Sequence, residues 1–239
     1  MKISIILPTY KEKDNITKLI KEIDKEFSKA KLTSEIIVVD DSSPDGTADA
    51  VKSLNKKNVK LIVRKEKGLP GAIRRGLDEA SGDLIAALDT DLSHPPAQLR
   101  KMAELAAAKS CLINASRWKR GGKMLSSKTS VVSSKIINKV IKFFLKLPYT
   151  DYTGGFFVMD GNFYRKLAKQ EKDFIFNKSN YGEYFVKFLA ILHKKGIEIV
   201  EIPFTYVNRK HGQSKTSILK HGKLYLNVIK ETKKWLKRH

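Results

Sequence analysis

The chain has 239 residues, of which 41% are hydrophobic, and this is enough apolar material for one sizeable core. Charged residues make up 30% of the chain but alternate with clear apolar runs, which excludes a globally disordered protein. Lysine and arginine number 47 against 25 aspartate and glutamate residues, so the formal net charge is +22. An anionic partner is therefore expected, and nucleic acid, anionic lipid or a phosphorylated substrate would each fit.

The number of cysteines and the lengths of the apolar runs indicate the cellular compartment. Cys111 is the single cysteine, so an internal disulfide is excluded, and the five histidines lack the paired spacing of structural zinc. A reducing, cytoplasmic compartment is expected, because the apolar run before Pro8 is also too short for a secretory signal peptide. Lysines interrupt every stretch that approaches the roughly 20 apolar residues of a membrane span. Any contact with a membrane is therefore expected from its surface.

The first half alternates short β-branched runs with helical patterns, which predicts a βαβ series on a mostly parallel sheet flanked by helices. Asp14 is placed to cap the first helix, and Pro95 and Pro96 suit the first turn of a later one. The fold class is therefore a doubly wound α/β fold. The predicted strands are Ile3–Leu7, Glu35–Val39, Lys60–Val63, Leu84–Leu88 and Leu112–Ala115.

The pattern changes after Arg117. A basic helix, a short Gly-Gly-Phe-Phe strand, more helix, a strand at Glu198–Pro203 and a terminal helix from about Ser217 follow. No internal repeat and no Pro- or Ser-rich linker separates the two halves, so residues 1–239 are predicted to form a single domain.

Three predicted strands end in acidic or turn-forming residues, and ligands of open α/β sheets bind beyond such ends. The three ends are Pro8 to Glu12, Asp40-Asp41 and Asp89-Thr90-Asp91. In extended backbone Asp89 and Asp91 would point to the same side and could bracket Mg²⁺ or Mn²⁺. An isolated pair of this kind more often caps a turn, and the metal interpretation is favoured because three acidic ends share one sheet.

Phosphate must be held without a glycine-rich cradle, because neither a dinucleotide fingerprint nor a P-loop occurs. Arg117, directly after the fifth strand, can supply a charge-assisted contact, although a solvated basic loop is an equal alternative. Asp45 or Thr47 is better placed than Asp41 to cap the next helix. Asp41 is therefore predicted to contact a base or a ribose.

Motifs along almost the whole chain occur in one family's order, and together they are far more specific than any one alone. They are I-L-P-T-Y-K-E at 6–12, I-I-V-V-D-D-S-S-P-D-G-T at 36–47, K-G-L-P-G-A-I-R-R-G at 67–76, G-D-L-I-A-A-L-D-T-D-L-S-H-P-P at 82–96, A-S-R at 115–117, D-Y-T-G-G-F-F at 151–157 and R-K-H-G-Q-S-K at 209–215. The chain thus resembles a family 2 glycosyltransferase of the GT-A fold, and within it the dolichol-phosphate mannose synthase branch.

The resemblance implies a nucleotide-sugar half at 1–117 and an acceptor and membrane-facing half at 118–239. The donor is expected to be GDP-mannose, with a UDP-sugar (UDP-glucose or UDP-N-acetylglucosamine) as the alternative. The nucleoside is expected against Pro8, Tyr10, Glu12, Val39 and Asp41. The metal is expected at Asp89 and Asp91, and further donor contacts are expected from Thr90, Arg117, Arg209 and Lys215. Four of these are the expected catalytic residues, namely Asp89, Asp91, Arg117 and Arg209.

A polyprenyl or dolichyl phosphate is the implied acceptor, with its phosphate at Lys128, Arg117 and Ser214. Such a phosphate is already anionic, so an inverting displacement needs no protein base. A hydroxyl acceptor would need one, and Asp151 is the candidate. The sequence leaves open whether small membrane subunits assist.

Four positions depart from the family pattern. The family usually has Asn where this chain has Lys11, often Gln where it has Ser93, Ser where it has Gly154, and Arg near Lys128.

There are two rival functions. One is a protein that keeps the fold but has lost catalysis, and the intact aspartates and arginines argue against it. A nucleic-acid-binding module is the other rival, and it has only the charge in its favour, because no recognisable motif accompanies the basic residues. Nucleic acid is therefore not expected as a partner.

Two basic amphipathic helices are predicted in the second half. Lysines occupy one side of the first helical wheel, at Lys135, Lys139, Lys142 and Lys146, and apolar residues occupy the rest. The terminal helix repeats the design, with an apolar stripe formed by Leu224, Val228, Ile229, Trp235 and Leu236. The stripes could pack on the core, or they could attach the protein peripherally to an anionic membrane on its cytoplasmic face.

Overall fold

The computed structural model describes residues 1–30, 32–177, 179, 181–207 and 218–238. Over these residues the strands are β1 (Lys2–Thr9), β2 (Thr33–Asp40), β3 (Val59–Val63), β4 (Leu84–Ala87), β5 (Leu112–Ser116), β6 (Lys123–Met124), β7 (Phe157–Asp160), β8 (Ile199–Pro203) and β9 (Thr205–Tyr206). The helices are α1 (Lys13–Phe27), α2 (Thr47–Lys52), α3 (Leu69–Glu79), α4 (Pro96–Ala108), α5 (Lys128–Leu145), α6 (Gly161–Arg165), α7 (Lys169–Phe176), α8 (Tyr184–Lys194) and α9 (Ile218–Arg238).

A seven-stranded sheet runs in the order β3-β2-β1-β4-β7-β5-β8, and β6 pairs with β9 in a small second sheet. All neighbours in the large sheet are parallel except β7, which pairs antiparallel with both β4 and β5. The predicted α/β class and mostly parallel sheet are confirmed, and each of the five predicted strands overlaps an observed one. The Gly-Gly-Phe-Phe strand begins only at Phe157.

Strand alternation divides the core between the two faces of the sheet. Ile5 and Leu7 on β1 pack with α1 and α4 on one face. Ile6, between them, packs with α3 and α8 on the other face. Because both faces are covered by helices, every residue of β1 from Ile3 to Thr9 is buried, as expected for a parallel strand between two helical layers.

The start of α1 differs from the prediction. The cap position is Glu12, and Asp14 lies inside the first turn, so the assignment of Asp14 as the cap was wrong. An acidic residue in the first turn is still favourable there, because it faces the positive end of the helix dipole. The prediction for α4 is confirmed, since Pro95 precedes the helix and Pro96 is its first residue.

The apolar stripe of α9 packs inward. Val228 and Ile229 are buried, and the ring of Trp235 stacks on Phe174 with centroids 5.4 Å apart. The fully buried Lys187 of α8 also pairs with Glu231, with Nζ 3.1 Å from Oε2. The interpretation that this stripe faces a membrane was therefore wrong for its central residues. In the part of the chain that the structure describes, no helix combines the length and apolarity needed to cross a bilayer.

Gly76 allows α3 to lie directly on β1, and this contact can be tested by adding one methyl group. A Cβ at Gly76 would lie 2.4 Å from Cγ2 of the buried Ile6. We expect Gly76→Ala to lower the free energy of unfolding by about 2 kcal/mol, since overpacking outweighs the gain in helix propensity. Gly222→Ala on α9, where a Cβ meets nothing within 4 Å, should instead stabilise by up to about 1 kcal/mol. Urea denaturation measures both, and equal stability of Gly76→Ala and wild type would contradict this packing.

Candidate active site

The carboxyl ends of β1, β2 and β4 meet at one edge of the sheet. The hydroxyl of Thr90 donates to the Pro8 carbonyl oxygen at 3.2 Å, and the Asp41 N–H donates to the Thr9 carbonyl oxygen at 3.0 Å. The strand order also reverses direction between β1 and β4, which is where open α/β sheets form a ligand crevice. The three segments singled out in the sequence therefore surround one crevice.

Backbone strain is concentrated at this edge. Lys11, Ser42 and Leu92 follow the three strands and have φ values of 62°, 52° and 64°. Non-glycine residues rarely adopt such values, and each costs of order 1–3 kcal/mol unless the surroundings hold it. At Lys11 the N–H donates to Ser43 Oγ at 2.9 Å. Asparagine tolerates this region better than lysine does, which gives the departure at position 11 an energetic cost.

Asp89 lies just beyond the end of β4 and leads into a bend at Thr90 and Asp91, so the pair is not part of the regular strand as expected. Asp91 is buried, and its Oδ1 accepts hydrogen bonds from Ser93 N at 3.0 Å and Ser93 Oγ at 2.5 Å. The Asp89 N–H donates to His94 Nδ1 at 3.0 Å. The buried imidazole stacks on Phe156, with ring centroids 4.6 Å apart. The side chains of Ser93 and His94 thus fix the conformation of the acidic pair. The sequence analysis assigns no role to His94.

The donor atoms of this bend are suited to a hard divalent cation. Within the described residues no group of three or more His, Cys, Asp or Glu could hold a metal ion. Two carboxylates nevertheless fit Mg²⁺ or Mn²⁺, since Mg²⁺ typically binds one or two carboxylates and completes its shell with phosphate oxygens and water. The hydrogen bonds from Ser93 would orient the Asp91 carboxylate, as outer partners usually do for a metal ligand.

Asp41 lies in a buried polar pocket at the end of β2. Its Oδ2 accepts the Gly68 N–H at 2.7 Å, and its Oδ1 lies 3.4 Å from Arg64 Nη1. Burial raises the pKa of Asp41, while the Gly68 N–H and the Arg64 charge oppose that rise. Arg64 was not predicted, although its position directly after β3 was a usable signal. Pro8 and Val39 are buried within their strands beside this pocket.

Tyr10 and Glu12 occupy the loop between β1 and α1. Lys67 Nζ lies 3.4 Å from the Tyr10 hydroxyl and 5.1 Å from its ring centroid. The Glu12 N–H donates to Thr47 Oγ1 at 3.0 Å, which joins the starts of α1 and α2. Tyr10 thus lies beside the segment before α3, and Glu12 lies beside the start of α2. Their contact with a nucleoside stays a prediction.

Arg117 and Asp151 form a buried, two-pronged ion pair. Nε and Nη2 of Arg117 lie 2.7 Å and 2.8 Å from the two carboxylate oxygens, and the Arg117 N–H also donates to Asp151. Thr153 Oγ1 accepts a further bond from Nη2 at 2.8 Å. Burial alone would raise the pKa of Asp151, but the guanidinium and the N–H groups of Arg117 and Thr153 lower it below its usual range. Asp151 is thus poorly suited to be a base.

Glu201 supports this pair from β8 and was missed in the sequence. Its carboxylate accepts the N–H groups of Thr150 at 2.8 Å and Asp151 at 3.0 Å, and the Asn114 amide at 3.2 Å. The side chain is 8% exposed. Glu201 therefore holds the backbone of the loop that presents Asp151 to Arg117.

The remaining predicted residues are not all described. Lys128 is the exposed first residue of α5, directly after the capping Ser127. Arg209, Ser214 and Lys215 lie outside the described residues, so their predicted roles stay predictions.

Comparison with known proteins decides the family. The profile named "Glycosyl transferase family 2" matches residues 4–168. The chain belongs to glycosyl transferase family 2. It is 35% identical to a dolichol-phosphate mannosyltransferase of Pyrococcus furiosus, over 98% of this chain, and spans 64% of that relative's length. It is 30% identical to a Mycosarcoma maydis protein of the same name, over 89% of this chain and 72% of the relative.

The fold of this family 2 glycosyltransferase is also that of solved GT-A enzymes. The glucosyl-3-phosphoglycerate synthase of Mycobacterium tuberculosis, solved with Mn²⁺, UDP and glucosyl-3-phosphoglycerate, superposes with a TM-score of 0.68. The match covers 96% of this chain and 78% of that one at 16% identity, so it shows a common fold.

The Arg117–Asp151 pair of this glycosyltransferase should be essential for stability. Asp151→Asn leaves a buried guanidinium unpaired, so we expect the free energy of unfolding to fall by about 3–5 kcal/mol at pH 7. The double variant Arg117→Met, Asp151→Leu removes both charges and should recover most of that loss. Because the pKa of Asp151 is lowered on folding, the difference between wild type and Asp151→Asn should shrink below about pH 4. Urea denaturation across pH tests this, and a constant difference down to pH 2 would contradict it.

Proposed function

We propose that this family 2 enzyme transfers a mannosyl group from GDP-mannose to a polyprenyl phosphate of the dolichol type, at the cytoplasmic face of a membrane. This proposal rests on two features of one chain. The Asp89–Asp91 bend lies where the strand order of the sheet reverses, between β1 and β4, and α5 has an exposed face with apolar and basic residues. The names of the two dolichol-phosphate mannosyltransferase relatives support the donor and acceptor classes. The acidic bend suits a soluble nucleotide donor, and the α5 face suits a lipid acceptor.

The donor's diphosphate is proposed to bind at Asp89 and Asp91 through Mg²⁺ or Mn²⁺. When bound, the cation would neutralise charge on the departing nucleoside diphosphate. Ser93 and His94 keep the bend in shape, and Asp41 with Arg64 offers both an acceptor and a donor to a nucleobase edge. The M. tuberculosis neighbour, solved with Mn²⁺ and UDP, supports a metal-assisted nucleotide site on this fold.

Sugar transfer is proposed to be a single displacement with inversion. A phosphate acceptor needs no deprotonation, which agrees with the low basicity of Asp151 in its ion pair. The Nε and Nη2 groups of Arg117 are held by Asp151 and Thr153, so this arginine would meet a phosphate with Nη1. A cation fixed before the reaction stabilises developing negative charge without reorganisation.

The outer face of α5 has the composition of a membrane contact. Its apolar residues are exposed, with exposures of 54%, 55% and 75% for Val132, Ile136 and Phe143. Lysines that are also exposed flank them on the same side, at Lys135, Lys139, Lys142 and Lys146. Each inserted apolar side chain is worth about 1.5–3 kcal/mol when fully buried, and each lysine near anionic lipid about 1 kcal/mol. The face therefore supplies both signals needed for reversible attachment.

Donor specificity and metal dependence test the reaction directly. With a polyprenyl phosphate and Mn²⁺, GDP-mannose should support transfer at a rate at least tenfold above UDP-glucose or UDP-N-acetylglucosamine. Asp91→Asn should reduce that rate about 100-fold or more, because the diphosphate loses a metal ligand. Asp49→Asn, an exposed acid on α2, is the matched control and should leave the rate unchanged. A preference for a UDP-sugar would replace the proposed donor, and full activity of Asp91→Asn would remove the metal site.

Membrane attachment is tested by sedimentation with lipid vesicles. Replacing Lys135, Lys139, Lys142 and Lys146 with glutamine should weaken binding to anionic vesicles at least about tenfold, since four lysine contributions are lost. The same change at four exposed lysines along and just beyond α1, Lys18, Lys21, Lys25 and Lys29, alters the net charge equally and should have little effect. Added salt should weaken wild-type binding, because lysine–lipid attraction is screened over about 8 Å. Equal binding by both quadruple variants would show that another surface meets the membrane.

A further inference from the structure

Asn138 is a buried polar residue on the inner side of α5. Its Nδ2 donates to Thr153 Oγ1 at 3.0 Å and to the Ser134 carbonyl oxygen at 2.9 Å. Its Oδ1 accepts the Tyr152 N–H at 2.7 Å. The amide thus joins α5 to the loop that carries Asp151.

Thr153 extends this link to the site arginine. Its Oγ1 accepts one hydrogen bond from Asn138 and another from Arg117 Nη2, at 3.0 Å and 2.8 Å. One hydroxyl oxygen therefore lies between the helix and the guanidinium. A displacement of α5 relative to the loop cannot occur without breaking or moving one of these bonds.

The exposed apolar residues lie on the opposite side of the same helix. At about 100° per residue, Asn138 lies about 120° to 160° around the helix from Val132, Ile136 and Phe143, and the exposed lysines lie between. Because the helix is one rigid element, the depth of its outer face in a membrane would fix the distance of Asn138 from that membrane. Through Thr153 it would also fix the distance of Arg117.

Other contacts also hold both ends of this link. Ile141 and Leu145 already pack α5 on the core, and Asp151 already pairs with Arg117. The Oδ1 atom of Asn138 satisfies the buried N–H of Tyr152, and its Nδ2 atom adds the bond to Thr153. That second bond gives the helix a fixed relation to the arginine.

We propose that Asn138 is a positioning residue that sets Arg117 at a fixed depth relative to the membrane-facing side of α5, so that the phosphate of a bilayer-embedded acceptor meets the guanidinium. This inference rests on the proposed function. An acceptor free in water can adjust its own position, whereas an acceptor held in a bilayer cannot. Loss of the link should therefore affect the embedded acceptor selectively.

The experiment compares two acceptors with the same donor: a long polyprenyl phosphate in anionic vesicles, and a C10 prenyl phosphate free in water. For Asn138→Ala and for Thr153→Val, kcat on the embedded acceptor should fall about tenfold or more, since small misplacements at a reacting centre are costly. The loss on the soluble acceptor should stay within about threefold, and the KM for the donor within about twofold. Ile141→Val, a buried change on the same helix without a link to Arg117, is the control and should show no such split.

The outcomes separate the inference from the function on which it rests. Equal losses on both acceptors, or no loss on either, would overturn the positioning role while leaving the proposed transfer intact. Wild-type enzyme that uses neither acceptor would refute the proposed function and the inference together. If circular dichroism shows that Asn138→Ala does not fold, Thr153→Val decides alone, because it removes the shared hydroxyl with almost no change in volume.

Discussion

The buried ion pair between Arg117 and Asp151 joins the end of β5 to the loop that precedes β7. Removing two charges from water is costly, and the pair is tolerated because hydrogen bonds satisfy both partners. Glu201 fixes the loop backbone behind Asp151, so a second carboxylate stabilises the geometry without competing for the guanidinium. The arginine is therefore held in one place before any ligand arrives, and such preorganisation is what makes a fixed cation effective in catalysis.

This pair exists because β7 runs against its neighbours. An antiparallel strand begins at the edge where the parallel strands on either side end. The segment before β7, which contains Asp151 and Thr153, is thereby delivered beside the end of β5, where Arg117 lies. The same segment follows α5, so the helix that carries the exposed apolar face is connected to the site by only a few residues. The topology thus places the elements proposed to face the acceptor and the arginine proposed to bind phosphate at one edge.

Local patterns in the sequence predicted much of the sheet and the positions of its acidic ends. Continuous apolar runs such as Ile3–Leu7 predict strands that are buried on both faces of the sheet. The polar residues that follow such strands must then lie at the edge of the sheet where ligands bind. The direction of β7 could not be predicted, since a short apolar strand has the same pattern in either orientation. The inward packing of the α9 stripe could not be predicted either, because an amphipathic helix has the same sequence pattern whether it packs on a core or on a bilayer.

The supporting residues were missed for a related reason. Glu201 occupies a position in β8 that alternation would assign to solvent, and Asn138 lies among apolar residues of a helix. Both are buried and bind the loop that carries Asp151, through N–H groups that lie 50 residues from Glu201 and 14 residues from Asn138 in sequence. His94 and Arg64 had weaker but usable signals, since His94 follows the acidic bend and Arg64 directly follows a strand that ends at the same edge. Residues that position others are specified by tertiary contacts, which a single sequence does not display.

The net charge of +22 and the acidic bend at Asp89 and Asp91 act at different ranges. Attraction between the basic surface and an anionic membrane or donor extends over about a Debye length of 8 Å. In the proposed donor site, the two carboxylates would repel a diphosphate at contact distance until a cation lay between them. Charge alone would suit nucleic acid equally well, but exposed Ile136 and Phe143 would gain nothing from a phosphate backbone. Apolar side chains flanked by lysines gain free energy on both counts only where hydrocarbon and anionic headgroups occur together, which is the surface of a membrane.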